Sequence, residues 1–183
     1  MFALNEKVVY PGHGVARVSG IVEKFVGGHA AHFYELRFIN KEMTILVPVE
    51  NLAAVGVRAL STPEMIQQIF TILSAPFTYN PIEYIALSSW NKRSKKYHAL
   101  LRSGNVIEVA KIYRELTFIA QHKDLSFGER AHLQQAESLL VEEVALVGIV
   151  PPAQAIEQLR TMCQQSTPVL CRVPHGKPPV PTL

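Results

Sequence analysis

The hydrophobic pattern of this chain changes at Leu60, and the change divides it into two kinds of structure. Before Leu60, short β-prone runs alternate with glycine turns such as Gly27-Gly28, a pattern typical of about five short antiparallel strands, the last over 54–58. After Leu60, apolar residues recur at helical spacing between capping residues and prolines. The sequence therefore predicts an α+β fold, with a small β-barrel followed by an α-helical bundle.

Capping signals indicate where the helices begin. Ser61 with Glu64 is predicted to cap the first helix, Asn105 caps a later one, and Ser126 with Glu129 forms a capping box. The predicted domains are a β-domain at 1–58, a linker at 59–63, a helical domain at 64–148 and a carboxyl-terminal extension at 149–183. The helical domain is expected to include a short helix at 80–85. The extension is expected to start with a weak amphipathic helix and to be Pro-rich and flexible at its end.

Positive charge is concentrated in one segment of a nearly neutral chain. The 183 residues carry 18 Lys and Arg against 15 Asp and Glu, a formal net charge of +3, and 48% of them are apolar. That apolar content is enough for a packed core. Residues 92–114 carry seven Lys or Arg and one acid, Glu108. Such a local basic stripe predicts site-specific contact with an anion, not the general affinity of a histone-like protein.

The only tryptophan, Trp90, stands at the head of this stripe, in the segment Ser88-Ser89-Trp90-Asn91-Lys92-Arg93-Ser94-Lys95-Lys96-Tyr97. Cations neutralise phosphates, and a flat ring stacks on bases or wedges between them, so the segment is a candidate for nucleic-acid contact. The alternative is that Trp90 anchors a core or a domain interface and that the cations form a solvated face. The residues alone leave both interpretations open.

The other polar residues predict neither catalysis nor a metal site. The seven histidines and two cysteines show no ligand set with metal spacing, and Cys163 and Cys171 are expected to be free thiols. Gly12-x-Gly14 precedes no helix, so we interpret it as backbone geometry at a strand bend. Glu142-Glu143 is interpreted as part of a solvated face. We expect a cytoplasmic monomer that is not an enzyme, with no cofactor, signal peptide or membrane span.

Six short motifs occur along the chain in a characteristic order. They are Val8-Val9-Tyr10-Pro11-Gly12-His13-Gly14-Val15, Val47-Pro48-Val49-Glu50-Asn51, Val55-Gly56-Val57-Arg58, Trp90-x-x-Arg93, Leu101-x-Ser103-Gly104-Asn105 and Leu125-Ser126-x-Gly128-Glu129-Arg130. Together, over residues 2–147, they resemble the CarD/CdnL bacterial transcription regulators. Each motif is weak alone, and their common order across two domains carries the resemblance.

The resemblance implies a Tudor/SH3-like amino-terminal domain that pairs a strand edge with the β subunit of RNA polymerase. It also implies that the helical domain meets promoter DNA. Trp90 would wedge into the minor groove at the upstream edge of the transcription bubble and stabilise the open complex without reading base sequence. By the same resemblance Lys92, Arg93 and Lys95 contact phosphates, and Lys96 is added on charge alone.

The polymerase contact is expected to differ from that of some family members. Lys24 falls near a basic contact position of the family, whereas Leu46 stands where some members have an arginine that touches polymerase. The contact is therefore expected to be more apolar, around Leu46 and Pro48, or to use Arg37 or Lys41. The alternative function is a polymerase-associated adaptor that makes no direct contact with DNA.

Overall fold

The computed structural model describes residues 2–76 and 90–165, and in these ranges a β-sheet precedes a group of helices. The predicted α+β class is confirmed. The strands are β1 (Lys7–Tyr10), β2 (Gly14–Val26), β3 (His29–Phe38), β4 (Thr44–Pro48) and β5 (Arg58–Ala59). They form one antiparallel sheet in the order β4-β3-β2-β1-β5, so β4 and β5 are its edges.

One face of this sheet carries the core of the β-domain. Successive side chains of a strand point to opposite faces, and within each strand the residues of this core follow that period of two. The core residues are Val8, Ala16, Val18, Tyr34, Leu36, Phe38, Val47 and Val57.

The strand expected over 54–58 is wrong in its first part. Val49–Asn51 form a 3-10 turn, and Leu52–Val55 form a single helical turn, α1. Gly56 ends that turn with φ of 81°, the left-handed conformation that glycine adopts without steric cost. Strand pairing therefore begins only at Arg58.

The other helices follow the predicted capping signals with one correction. They are α2 (Pro63–Ser74), α3 (Trp90–Leu101), α4 (Val106–His122), α5 (Phe127–Gly148) and α6 (Pro152–Gln165). Asn105 caps α4, and Ser126 caps α5 in a capping box with Glu129, as predicted. Thr62 caps α2 in place of Ser61, because the Ser61 side chain is engaged elsewhere, by Glu143.

The last helix belongs to the bundle. Ala155, Leu159 and Cys163 recur every four residues along α6 and are buried in the same core as residues of α2 to α5. The expected domain boundary at 148 therefore falls between two helices that pack together. The short helix expected over 80–85 and the Pro-rich end of the extension lie outside the described residues.

The second face of the sheet packs against α5. Val9 and Val15 point to this face and are buried. The backbone N–H of Val15 donates a hydrogen bond to Glu142 Oε2 at 2.7 Å. The interpretation of Glu142-Glu143 as a solvated face is wrong, because both carboxylates are buried against the β-domain.

Glu143 joins the end of the sheet to the bundle through charged hydrogen bonds. Arg58 Nη2 and Nη1 donate to its two oxygens at 2.6 and 3.0 Å, a bidentate pair. The Ser61 backbone N–H donates to the same carboxylate at 3.2 Å, and the Ser61 hydroxyl also donates to it. Arg58 Nε further donates to the Gly104 carbonyl at 2.6 Å. One arginine thus links α5, the turn before α4 and the last strand.

The glycine turn between β1 and β2 is shaped by the same interface. Gly12 and Gly14 have φ of 74° and 103°, as their interpretation as bend residues requires. A Cβ at Gly14 would overlap the Glu142 carboxylate. Gln135 Nε2 of α5 donates to the Gly12 carbonyl at 3.2 Å. The turn therefore needs glycine both for its backbone conformation and for the close approach of α5.

Replacing Gly14 should expose the cost of that close approach. Gly14→Ala is expected to lower the free energy of unfolding by roughly 2–5 kcal/mol, since left-handed strain of about 1–2 kcal/mol adds to disruption of a buried charged hydrogen bond worth about 1–3 kcal/mol. Gly28→Ala is the matched control, because Gly28 also has a positive φ but no atom near its added Cβ. Urea unfolding of both variants measures the difference, and equal losses would contradict the proposed contact.

Replacing Glu143 should loosen the domain interface. Glu143→Gln keeps the shape but removes the charge, so we expect a loss of about 1.5–3 kcal/mol in the free energy of unfolding. The exposed control Glu157→Gln on α6 should stay within about 0.5 kcal/mol of wild type. Urea unfolding followed by circular dichroism distinguishes them. If Glu143→Gln behaved like Glu157→Gln, the buried ion pair would not hold the domains together.

Candidate nucleic-acid interface

Three lysines occupy one exposed face of α3. Lys92, Lys95 and Lys96 are exposed, and spacings of three and four residues bring them to the same side of a helix. The helix contains no acidic residue. The amino-terminal half of α3 therefore presents concentrated positive charge to solvent.

The opposite face of α3 is fixed in the bundle. Tyr97 and Leu101 are buried in the core, and the Tyr97 hydroxyl donates to Glu115 Oε1 of α4 at 2.6 Å. Burial, and then that hydrogen bond, raise the pKa of Tyr97 well above its usual range, so it stays a neutral donor. Ser94 Oγ and His132 Nε2 of α5 lie 3.1 Å apart. These contacts set which side of α3 the lysines present.

Arg93 does not join the lysines. Its side chain is buried, with 8% of the residue exposed, and its Nη2 lies 3.4 Å from Glu129 Oε1 of α5. The expectation that Arg93 contacts phosphate does not agree with this placement, because the guanidinium points into the protein and faces a carboxylate. In this structure Arg93 helps fix α3 to α5.

Glu129 connects this ion pair to the cap of α5 and to a further cation. It accepts hydrogen bonds from the Ser126 N–H at 2.9 Å and from Lys123 Nζ at 3.3 Å. Burial raises the pKa of Glu129, but the hydrogen bonds from Ser126 and Lys123 outweigh it and the net pKa is lowered. Lys123, with 46% of its side chain exposed, thus lies beside the start of α3. Sequence reasoning missed it, because nothing local relates 123 to 93.

Trp90 is the first residue of α3. Its side chain lies outside the described part of the chain, so its role as a wedge stays a prediction. The helix nevertheless sets its backbone two residues before Lys92 and about one and a half turns before the other two lysines.

Four of the five residues predicted to contact polymerase share one face of the sheet. Residues directly opposite in neighbouring strands lie on the same face, and register pairs Phe33 with Pro48, Glu35 with Leu46, and Arg37 with Thr44. Register also pairs Lys24 with Ala31, which belongs to the same alternating set along β3. This is the face opposite the β-domain core, and it therefore carries Lys24, Arg37, Leu46 and Pro48.

Lys41 stands apart, in the turn between β3 and β4. Its ammonium group donates a hydrogen bond to the His13 carbonyl at 2.7 Å. Burial, and then the positive charges of Lys41 and Arg102, lower the pKa of His13 below its ordinary value. Lys41 is exposed, but its charge is engaged with the glycine turn rather than turned toward β4.

The outer edge of β4 has no neighbouring strand within the described residues. β4 pairs with β3 on one side only, so its other edge presents backbone groups that an added strand can bond. Leu46 and Pro48 are partly exposed on this strand. An edge with an apolar side chain beside it is suited to a protein partner.

The described residues contain no group of three or more His, Cys, Asp or Glu side chains arranged to hold a metal ion. Within the same ranges no single helix is both long and apolar enough to cross a membrane, and the last two helices meet the length and composition requirement only as a pair bent by 113°. The candidate interface therefore consists of the lysines of α3, the free edge of β4 and the apolar residues Leu46 and Pro48 on that strand.

Comparison with known proteins matches both parts of the chain. The model of the CarD-like/TRCF RID domain matches residues 2–61, and the model of the CarD carboxyl-terminal domain matches residues 68–160. The Bacillus subtilis (strain 168) protein YdeB, named as a candidate transcription factor, is 24% identical over 147 residues, which are 80% of this chain and 92% of that protein.

A solved structure is similar to part of the chain. The solution NMR structure of the 72-residue amino-terminal domain of Myxococcus xanthus CarD is 37% identical and covers 32% of this chain and 79% of that one, with a TM-score of 0.29. The two domain models follow one another in the order of the β-sheet and the helices described above, and between them they cover most of the residues. The chain therefore belongs to the CarD family.

Proposed function

We propose that this chain is a transcription regulator that docks on the β subunit of RNA polymerase through its sheet and stabilises the promoter open complex through α3. In this proposal Trp90 wedges into the minor groove at the upstream fork of the bubble, and Lys92, Lys95 and Lys96 hold the phosphates. Family membership supports the role in transcription. The exposed lysine face of α3 is the observation that supports DNA as the ligand.

Helix physics strengthens the case that these lysines serve a ligand. A cation in the first turn of a helix opposes the helix dipole, at about 0.3–1 kcal/mol when exposed, and like charges four residues apart on a helix repel one another by about 0.2–0.5 kcal/mol. Lys92 lies in the first turn of α3, Lys96 follows four residues later, and α3 itself contains no acidic residue. Stability alone does not favour such a sequence. A phosphate backbone approaching this face would relieve the repulsion.

The energy of a wedge is of the right size for control of promoter opening. Separating one base-pair step costs about 1–2 kcal/mol of stacking. A stacked aromatic ring contributes roughly 1–3 kcal/mol, which would shift the opening equilibrium about fivefold to a hundredfold. No covalent bond changes, so the effect is one of binding.

Polymerase docking would make a weak DNA contact effective. A few phosphate contacts give low affinity for free DNA, but tethering through the sheet raises the local concentration of α3 at the promoter. The edge of β4 and the apolar Leu46 beside it support docking by strand addition. The hydrogen bond that Glu142 accepts from Val15 and the ion pair of Glu143 with Arg58 would then transmit the position of the docked sheet to the helices.

Removing the tryptophan ring tests the wedge directly. We expect wild type to prolong the lifetime of an open complex formed by purified polymerase holoenzyme, and Trp90→Ala to lose about fivefold to a hundredfold of that effect while still binding polymerase. Trp90→Phe, which keeps a smaller ring, should retain part of it. Thermal unfolding of each variant serves as the control for folding.

The same experiment distinguishes the adaptor function. If folded Trp90→Ala prolonged the open complex as well as wild type does, DNA contact by the ring would be refuted. If Trp90→Ala lost roughly 3–5 kcal/mol of stability, the ring would be a core anchor, and an adaptor without DNA contact would be the better description.

The lysine face makes a separate prediction about salt. Each phosphate neutralised contributes about 0.9 to the slope of log affinity against log salt concentration. Changing Lys92, Lys95 and Lys96 together to alanine should reduce that slope for fork-containing DNA by about 2–3. Arg93→Ala is the contrasting variant, since it should lower stability by removing one of the partners of buried Glu129 and leave the slope of the folded protein unchanged. An unchanged slope in the triple variant would exclude this face.

A further inference from the structure

A second set of cations lies far from α3 along the chain, on the sheet. Lys7, Arg17 and Arg37 stand directly opposite one another in β1, β2 and β3, and all three are exposed. Neighbouring strands are about 4.8 Å apart, so this cationic row sets three like charges along about 10 Å. Side chains directly opposite one another in a sheet interact most closely of all.

No acid in the described ranges neutralises the cationic row. Within residues 2–76 and 90–165, none of the three side chains forms an ion pair or a side-chain hydrogen bond. Glu35 lies on the same face, two residues from Arg37 along β3, and does not pair with the row either. Like charges directly opposite destabilise a sheet. The row therefore has no structural explanation in the described fold.

The cationic row borders a concavity at the junction of the two domains. The concavity has a volume of about 360 Å³, and α5 contributes Leu146 to it. Phe38 and Ile39 line it as well, and Ile39 is 43% exposed. Positive charge and apolar surface thus meet in one open groove. The groups that a nucleic-acid duplex brings to such a row are charged phosphate oxygens, whereas a peptide can place carboxylates and apolar side chains next to one another.

We propose that the cationic row and its groove bind an acidic peptide segment of a partner protein, one in which carboxylates alternate with apolar side chains. The carboxylates would neutralise the row, and an apolar residue between them would cover Ile39 and Leu146. The chain's own end is unsuited to this role, since residues 166–183 contain Arg172 and Lys177 and no acid. Arg37 is also one of the predicted polymerase contacts, so the row adjoins the proposed docking face, but the proposal does not depend on promoter contact.

Peptide binding to the full chain tests the proposal. The probes are a labelled peptide repeating Glu-Phe-Asp-Leu three times, its Gln and Asn counterpart, and a single-stranded oligothymidylate of similar length, each followed by fluorescence anisotropy at low salt. We expect the acidic peptide to bind at least about tenfold more tightly than the neutral one. Arg17→Ala combined with Arg37→Ala should weaken its binding by at least about tenfold. The charge-matched control, Lys111→Ala combined with Arg130→Ala on the helices, should bind as wild type does.

The thermal stability of the double variant is a second measurement, and it distinguishes a binding role of the cationic row from a structural one. Removing Arg17 and Arg37 relieves like-charge repulsion, so the thermal midpoint without peptide should rise at low salt and the difference should shrink at high salt. A lowered midpoint would overturn the proposal, because the row would then support the fold. Equal binding of acidic and neutral peptides, or equal weakening in the control, would overturn it too. Loss of oligothymidylate binding in the double variant, with no binding of the acidic peptide, would assign the row to nucleic acid instead.

Discussion

Two adjacent buried carboxylates, Glu142 and Glu143, join the sheet to the helices, and the rest of the arrangement depends on them. A buried carboxylate is stable only if hydrogen bonds replace its water, and here the donors come from the β-domain and the chain just after it. The Val15 and Ser61 N–H groups and the Arg58 guanidinium meet at α5 for this reason. The glycines before Val15 let the backbone come close enough.

Local signals could be predicted from the sequence, and distant contacts could not. Asn105 and Ser126 cap their helices because capping needs only residues two or three positions away. Glu142 binds a backbone group 127 residues earlier, and no local pattern relates the two positions. An acidic pair on a helix is usually solvated, so sequence reasoning assigned it to the surface. The wrong cap at Ser61 has the same origin, since a distant glutamate takes its hydroxyl.

The separation of Arg93 from the lysines of the basic segment could be predicted only in part from the sequence. At 100° per residue, Arg93 lies about 40° from apolar Tyr97 and about 60° from Lys96, at the border between the apolar side of α3 and its lysine side. That period allows Arg93 to face the core, and the contact with Glu129 determines that it does. Its partner Glu129 was not predictable, because 36 residues separate them. The cationic row on the sheet was also hidden, since its members are adjacent only through strand register.

The helix α5 connects the contacts with α3 to the contacts with the sheet. Its 22 residues include Glu129, beside α3, and Glu143, beside the sheet. Fourteen residues at 1.5 Å each separate these two carboxylates by roughly 21 Å along the helix axis, and they complete nearly four turns. The helix therefore fixes both the distance between the two carboxylates and the angle between them around the helix axis. An insertion of one residue within it would rotate one carboxylate by about 100° relative to the other, so evolution can vary the loops of such a protein more freely than the length of this helix.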